Sequence, residues 1–191
     1  MKLIFATQNQ NKVNELKLLM PKHIELLSLK EINCEDDIPE TADNLEGNAS
    51  QKSAYVVNKF NVNCFADDTG LEIEALNNEP GVFSARYAGE QKDSNDNMNL
   101  VLKNLENKTN RNARFRTAIS LVIDGQEHIF EGEAKGEIIE QKCGVDGFGY
   151  DPIFKPEGYD ITFAEMSMSD KNKISHRGKA VRKLVDYLNT L

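Results

Sequence analysis

The sequence predicts an α/β fold in a single domain that covers residues 1–191. Its N-terminal segment follows a strand, loop, helix, strand order, which is typical of α/β proteins. Further on, two long strand-like segments flank Asp124-Gly125, a dipeptide that favours a tight hairpin. No internal repeat, low-complexity tract or linker divides the chain. With 39% hydrophobic and 28% charged residues, the composition is that of a folded protein.

The N-terminal segment alternates short apolar stretches with helical patterns. Residues 2–6 predict a buried strand, residues 7–11 a polar loop and residues 24–29 a second strand. A helix that ends before Pro21 is predicted between the strands by the spacing of Val13, Leu16, Leu19 and Met20. An acidic loop then covers residues 30–41.

A long amphipathic helix and an interrupted strand follow the acidic loop. Thr41 or Asp43 is the expected N-cap of this helix, whose apolar positions are Leu45, Ala49, Val56 and Phe60. Residues 62–66 predict a core strand, and the polar residues 67–70 interrupt it. Apolar and acidic residues alternate over 71–75, which predicts a half-exposed strand.

The rest of the chain predicts two helices, two long strands and several loops. One helix covers residues 93–106, and a C-terminal helix is marked by Val181, Leu184, Val185 and Leu188. The strands cover residues 113–123 and 127–139. Loops or short polar segments cover residues 78–89, 144–152 and 168–173.

Charge and composition exclude several classes of partner. The formal net charge of −8 disfavours a long nucleic acid duplex, which requires a broad basic face. A small anion needs only a few cations gathered in one place. The odd number of cysteines, with no CxxC pair, suits a reducing compartment. Because neither a signal peptide nor an apolar run of about 18 residues is found, we expect a cytoplasmic protein with no membrane contact.

Two segments near the N-terminus carry groups that suit a phosphate. Thr7, Asn9 and Lys12 lie in a loop before a helix, whose N-terminal N–H groups favour anions. Turn and capping chemistry is the alternative explanation, and the lack of Walker A glycines excludes a P-loop. Lys52 lies on the apolar stripe of its helix, where it either snorkels to solvent or meets an anion.

The acidic pair Asp67-Asp68 stands at the end of a predicted strand. Because adjacent strand residues point to opposite faces, we expect one carboxylate to face a ligand and the other to accept hydrogen bonds. Carboxylates at this position suit magnesium, with Glu40 as a second ligand. Other carboxylates in the same loop are Glu35, Asp36 and Asp37. The alternative for the pair itself is a polar turn.

Two later motifs suit the recognition of a base. In residues 147–152, glycines allow close approach of the backbone, Phe148 offers a ring for stacking and Asp151 offers an acceptor. A structural turn is the alternative. Side-chain donors around the start of the last helix are Lys171, Ser175, His176 and Arg177. Such donors favour a keto purine over adenine, although a histidine at a helix start is also common as a structural residue.

Seven motifs stand in order along nearly the whole chain. They are TQNQNK at 7–12, ET at 40–41, NASQKSA at 48–54, ADDTGL at 66–71, PGVFSARYAG at 80–89, DGFGYDP at 146–152 and SHRGKA at 175–180. Each motif is short, but the ordered set is specific. Together they resemble the inosine/xanthosine triphosphate pyrophosphatase family.

This resemblance implies a mixed α/β fold, with a sheet bent around a central cleft between two lobes and flanked by helices. It also implies a homodimer that uses Mg²⁺ to hydrolyse deaminated purine nucleoside triphosphates to the monophosphate and pyrophosphate. The implied substrates are inosine, deoxyinosine and xanthosine triphosphates (ITP, dITP and XTP), which the enzyme would clear from the nucleotide pool.

The resemblance also implies roles for individual residues. Asp68 is expected to be the general base for water that attacks the α-phosphorus, with Lys52 as a catalytic cation. Asp68 and Glu40 are the expected metal ligands. The expected phosphate contacts are Thr7, Asn9, Lys12, Lys52 and Thr69. The expected base and sugar contacts are Phe148, Gly149, Tyr150, Asp151, Lys171, His176 and Arg177.

Other functions remain as alternatives. One alternative is an enzyme of a related fold that hydrolyses pyrimidine or methylated nucleotides. A non-catalytic nucleotide-binding regulator would bind its ligand without releasing pyrophosphate. A purely structural domain leaves the assembly of cations and carboxylates unexplained.

Overall fold

The computed structural model describes residues 1–191, except for the side chains of residues 11 and 15. Two compact units can be distinguished along the chain. Unit 1 comprises Met1–Asp68, Ala118–Glu131 and Ala180–Leu191, and unit 2 comprises Thr69–Thr117 and Gly132–Lys179. The two units agree with the two predicted lobes, whereas the central cleft and the single domain stay predictions.

Seven strands and five helices make up the regular structure of the described residues. The strands are β1 (Lys2–Phe5), β2 (Glu25–Ser28), β3 (Cys64–Ile73), β4 (Glu79–Pro80), β5 (Asn112–Ile123), β6 (Gln126–Ile138) and β7 (Phe154–Pro156). The helices are α1 (Gln10–Lys17), α2 (Leu45–Phe60), α3 (Ser94–Asn104), α4 (Met168–Ile174) and α5 (His176–Leu188). Short 3₁₀ turns cover Lys30–Ile32, Glu74–Leu76, Gly81–Arg86 and Asp151–Ile153.

The strands form one mixed sheet in the order β2-β1-β3-β5-β6-β7, and β4 pairs with β3. β1 runs parallel to both β2 and β3, whereas β4 is antiparallel to β3 and β7 is antiparallel to β6. The predicted hairpin connects β5 and β6 through Asp124 and Gly125, both of which have positive φ. These observations confirm the predicted α/β fold with a mixed sheet.

In unit 1 the sheet carries helices on both faces because the side chains of β1 and β3 alternate. One face holds Phe5 and Phe65, whose stacked rings have centroids 4.4 Å apart. This face packs with apolar residues of α1 and α5, among them Val13, Leu16, Val181, Leu184 and Leu188. The other face packs with Val56 of α2 and consists of Ile4, Ala6, Cys64 and Ala66.

Unit 2 has its own aromatic core. The rings of Phe115 and Phe154 pack edge to face with centroids 4.7 Å apart, and Phe163 packs against both. Apolar residues from α3 join this cluster, including Met98 and Val101. Among the described residues, no helix is both long and apolar enough to cross a lipid bilayer.

The prediction that residues 67–70 interrupt a strand is wrong. β3 continues through them from Cys64 to Ile73. Local polarity suggested a turn, but the flanking residues Phe65, Ala66 and Leu71 are fully buried. Because their burial keeps the backbone extended, both aspartates belong to a strand.

Other boundaries also differ from the predictions. The N-cap of α2 is Asn44, whose Oδ1 accepts from the Gly47 amide at 2.7 Å, and it is neither Thr41 nor Asp43. α1 ends at Lys17, and Leu19 is exposed although its spacing predicted a buried helical position. The polar segment over 168–173 is the helix α4, which Ser167 caps.

Candidate functional site

Unit 1 gathers two lysines and three carboxylates around β3. Asp67 and Asp68 come from β3, and Lys12 and Lys52 come from α1 and α2. Glu40 comes from the loop before α2 and contacts Lys52. We call this set the acidic cluster. Lys12 and Asp67 are far apart in the sequence, so only the fold brings them together.

Lys12 is paired with Asp67 within the acidic cluster. Its Nζ donates to both carboxylate oxygens of Asp67, at 3.0 and 2.8 Å, and the Asp67 side chain is only 4% exposed. Asp67 therefore accepts hydrogen bonds inside the protein, as the sequence predicted for one of the pair, although Asp68 also accepts one, from Asn48. The bidentate contact holds the Lys12 ammonium in one place.

The loop before α1 shows the capping chemistry that was the alternative for its polar residues. Oδ1 of Asn9 accepts from the Lys12 amide at 3.3 Å, and Oγ1 of Thr7 accepts from the Asn9 amide at 3.2 Å. These contacts order the start of α1. Phosphate binding by Thr7 and Asn9 stays a prediction.

Lys52 lies between two carboxylates. Its Nζ donates to Oε1 of Glu40 and lies 3.7 Å from Oδ1 of Asp68. Burial lowers the pKa of Lys52, but the charges of Asp68, Asp67 and Glu40 outweigh burial and raise it overall. Lys52 is therefore a buried cation at neutral pH, and the alternative that it snorkels to solvent is wrong.

Asn48 is a member of this site to which the sequence analysis assigned no role. Its Nδ2 donates to Oδ2 of Asp68 at 3.0 Å, and its Oδ1 accepts from the Ala42 amide at 2.9 Å. Asn48 is buried and lies one helical turn before Lys52 on the same face of α2. This spacing places a polar residue on the apolar stripe of the helix, and it is the sequence signal that could have identified Asn48.

The carboxylates of the acidic cluster fit a magnesium ion that is held jointly by protein and substrate. Among the described residues, no group of three or more histidine, cysteine, aspartate or glutamate side chains is arranged to hold a metal. Mg²⁺ does not need such a group, because it is usually bound by one or two carboxylates together with phosphates and water. Glu40 and Asp68 meet this requirement, since both contact the same ammonium group.

The structure also distinguishes among the carboxylates of the acidic loop. Asp36 accepts from Tyr55 and Lys59 on the outer part of α2, and Lys59 lowers the pKa of Asp36. Glu40 is the carboxylate of that loop that contacts Lys52. This geometry favours Glu40 over Asp36 as the second metal ligand.

Unit 2 places two cations beside the ring of Phe148. Nζ of Lys171 lies 4.9 Å from the ring centroid and Cζ of Arg177 lies 5.2 Å from it. Phe148 is 59% exposed, so part of its side chain is available for stacking. Lys171 is itself buried and forms an ion pair with the buried Asp151.

Asp151 organises the glycine-rich turn that carries Phe148. Its Oδ2 accepts from the Phe148 amide at 2.8 Å as well as from Lys171. Gly147 has φ of 80°, and a Cβ there would lie 2.2 Å from this same oxygen. Gly149 also has positive φ, at 64°. The turn therefore requires glycine and gives Asp151 structural partners, while substrate contacts by Gly149 and Asp151 stay predictions.

The remaining residues predicted to bind substrate lie in less open positions. Tyr150 is buried, and its hydroxyl donates to the Ser84 carbonyl at 2.7 Å, so the structure favours a structural role for this hydroxyl. The buried His176 ring stacks on Phe115, with centroids 4.6 Å apart. Thr69 shares a hydrogen bond of 2.8 Å with Thr117. Substrate contacts by these three residues stay predictions.

The family of this chain follows from its similarity to known proteins. The sequence profile of the Ham1 family matches residues 3–187. The chain belongs to the Ham1 family. A dITP/XTP pyrophosphatase of Flavobacterium johnsoniae is 60% identical over 188 residues, which cover 98% of each protein.

Solved structures of related proteins have the same fold. The Staphylococcus aureus Ham1 protein matches with a TM-score of 0.95 at 39% identity, covering 100% of this chain and 99% of that one. A nucleoside-triphosphatase / dITP/XTP pyrophosphatase of Mycobacterium abscessus matches with a TM-score of 0.84 at 39% identity, covering 97% and 99%. The predicted family and fold class are thus confirmed, and the names of the Ham1 relatives agree with the predicted enzyme class.

Proposed function

We propose that this Ham1 family member hydrolyses deaminated purine nucleoside triphosphates, namely ITP, dITP and XTP, to the monophosphate and pyrophosphate. Membership of the Ham1 family supports the reaction class. The observation that carries the proposal is the position of Asp68, which has Asn48 on one carboxylate oxygen and Lys52 near the other. A fixed carboxylate beside a buried cation suits water activation next to a phosphate.

The lysines of the acidic cluster would offset the charge of the triphosphate. An anionic phosphate repels an approaching nucleophile, so fixed positive charge near the α-phosphorus lowers the barrier. Lys12 and Lys52 are already held in place by carboxylates, and little reorganisation is needed when charge develops in the transition state. Thr7, Asn9 and Thr69 would add further donors to the phosphate oxygens.

Glu40 and Asp68 would hold Mg²⁺ together with phosphate oxygens. When bound, Mg²⁺ would supply Lewis-acid stabilisation of negative charge on the phosphates. Asp68 would accept a proton from water as the water oxygen bonds to the α-phosphorus. The bond from the α-phosphorus to the bridging oxygen breaks, and pyrophosphate leaves with the bonding electrons.

The residues around Phe148 would recognise the base. The exposed ring of Phe148 would stack on the purine, while Lys171, His176 and Arg177 would donate to the oxygen at purine position six. Adenine carries an amino group there and would leave such donors unpaired, which costs affinity. These donors therefore favour ITP and XTP over ATP, but not over GTP, since guanine also carries oxygen at position six.

The experiment that tests this function is a substrate panel. Pyrophosphate release would be measured with Mg²⁺ from equal concentrations of ITP, XTP, ATP, GTP and dTTP. Turnover confined to ITP and XTP supports the proposal. Turnover of dTTP instead favours the pyrimidine alternative, and tight ITP binding without pyrophosphate release favours the regulator. Either of these two results refutes the proposed function.

We also propose that the protein is a homodimer, as the family resemblance implies, and that it is cytoplasmic. Light scattering after size-exclusion chromatography tests the dimer. A molar mass of two 21.5 kDa chains supports it, whereas the mass of a single chain contradicts it.

A further inference from the structure

The Asn48 amide links the two segments that carry the carboxylates of the acidic cluster. At one end, its Nδ2 donates to Oδ2 of Asp68 in β3 at 3.0 Å. At the other end, its Oδ1 accepts from the backbone N–H of Ala42 at 2.9 Å, two residues after Glu40. Asn48 is only 2% exposed, so little of the residue can contact water.

A second contact from α2 secures the same loop. Oε1 of Gln51 accepts from the Thr41 backbone N–H at 2.9 Å, and its Nε2 donates to the Thr41 hydroxyl at 3.1 Å. Consecutive backbone amides after Glu40 are therefore both bound by side chains of α2. Asn48 differs from Gln51 because it also reaches a carboxylate.

Only a side chain with a donor and an acceptor satisfies both ends of this link. A backbone N–H can only donate, and a carboxylate can only accept, so the orientation of the Asn48 amide is determined by its partners. Aspartate would keep the acceptor and lose the donor, and alanine would lose both. Each replacement therefore removes a defined part of the link.

We infer that Asn48 is a positioning residue for the proposed reaction, because it holds Oδ2 of Asp68 and the Glu40 loop in one arrangement. With Oδ2 of Asp68 bound to Asn48, Oδ1 is the oxygen that lies near Lys52. Asn48 thus binds one oxygen of the Asp68 carboxylate, while the other oxygen faces Lys52. This inference rests on the proposed function, since it assigns Asn48 to the same site.

The expected effect is on turnover and metal binding rather than on recognition of the nucleotide. Hydrogen-bonding partners of metal ligands typically change metal affinity or activity by about 10–100-fold when removed. We expect kcat for ITP to fall by about this factor in both Asn48→Ala and Asn48→Asp. Asn58→Asp makes the same chemical change at an exposed position of α2 and serves as the control.

Three measurements separate positioning from a general loss of structure. The kcat and KM for ITP are measured at saturating Mg²⁺. Calorimetry gives the affinity of metal-free protein for a non-hydrolysable α,β-imido analogue of ITP, and then the affinity of that complex for Mg²⁺. Urea unfolding gives the stability of each variant.

The inference is supported if both Asn48 variants lose kcat, if Asn48→Ala weakens Mg²⁺ binding, and if its metal-free analogue binding stays within about threefold of wild type. It is overturned if Asn48→Asp keeps wild-type kcat, because the donor to Asp68 is then unnecessary. It is also overturned if analogue binding falls as much as kcat. A wild-type protein that releases no pyrophosphate from ITP refutes the proposed function instead, and the substrate panel detects this separately.

Discussion

Replacing Asp68 by asparagine removes the charge of this carboxylate while nearly preserving its shape. The asparagine keeps an oxygen that can accept from Nδ2 of Asn48, which now lies 3.0 Å from Oδ2 of Asp68. Lys52 loses a carboxylate at 3.7 Å but keeps its contact with Glu40. The variant should therefore fold, and its kinetics should report on the chemical role of the charge.

The expected losses of stability and activity differ enough to be separated. Unit charges about 4 Å apart interact by about 4 kcal/mol at an effective dielectric constant of about 20. Burying a neutral amide costs less desolvation free energy than burying a carboxylate, which offsets part of this loss. The net loss of unfolding free energy should therefore be about 1–2 kcal/mol. A domain with an unfolding free energy of about 5–15 kcal/mol stays folded after such a loss. Removal of a general base costs about 100-fold or more in turnover, or about 2.7 kcal/mol in the barrier.

The assay is pyrophosphate release from ITP with Mg²⁺, together with the affinity for the α,β-imido analogue and the urea unfolding curve. Asp160→Asn, at an exposed position, serves as the matched control. We expect kcat to fall by about 100-fold or more while the metal-free variant still binds the analogue. A variant with near-normal turnover would refute the general-base role of Asp68.

Three further substitutions test the remaining roles. Lys52→Met leaves Glu40 and Asp68 without their shared cation, and urea unfolding should show a loss of about 3 kcal/mol; unchanged stability would contradict the buried pairing. Phe148→Ala should raise KM for ITP by about 10-fold or more through lost stacking, whereas Val145→Ala, at another exposed apolar position of the loop, should not. Tyr150→Phe should lower stability by about 1 kcal/mol, since the buried Ser84 carbonyl loses the closer of its two donors, Tyr150 at 2.7 Å and Asn97 at 3.4 Å. A KM change above about threefold would show that the hydroxyl contacts nucleotide.

The predictions from sequence succeeded where structure depends on neighbouring residues. The β5–β6 hairpin followed from Asp124-Gly125, because two residues with positive φ determine such a turn. The helix α2 followed from its apolar spacing. The prediction for residues 67–70 was wrong because local polarity was opposed by the burial of residues on both sides, and burial is a property of the whole fold.

The candidate site shows the same division between features set by residue type and features set by the whole fold. The sequence by itself determined which side chains can bind phosphate and metal, since residue type sets charge and hydrogen-bonding capacity. The tertiary structure decided how they are paired. Lys12 and Asp67 lie 55 positions apart, and Asn48 and Asp68 lie 20 positions apart, yet both pairs are in contact. No local pattern encodes such pairs, because they form only when α1 and α2 pack on opposite faces of the strand that carries both aspartates.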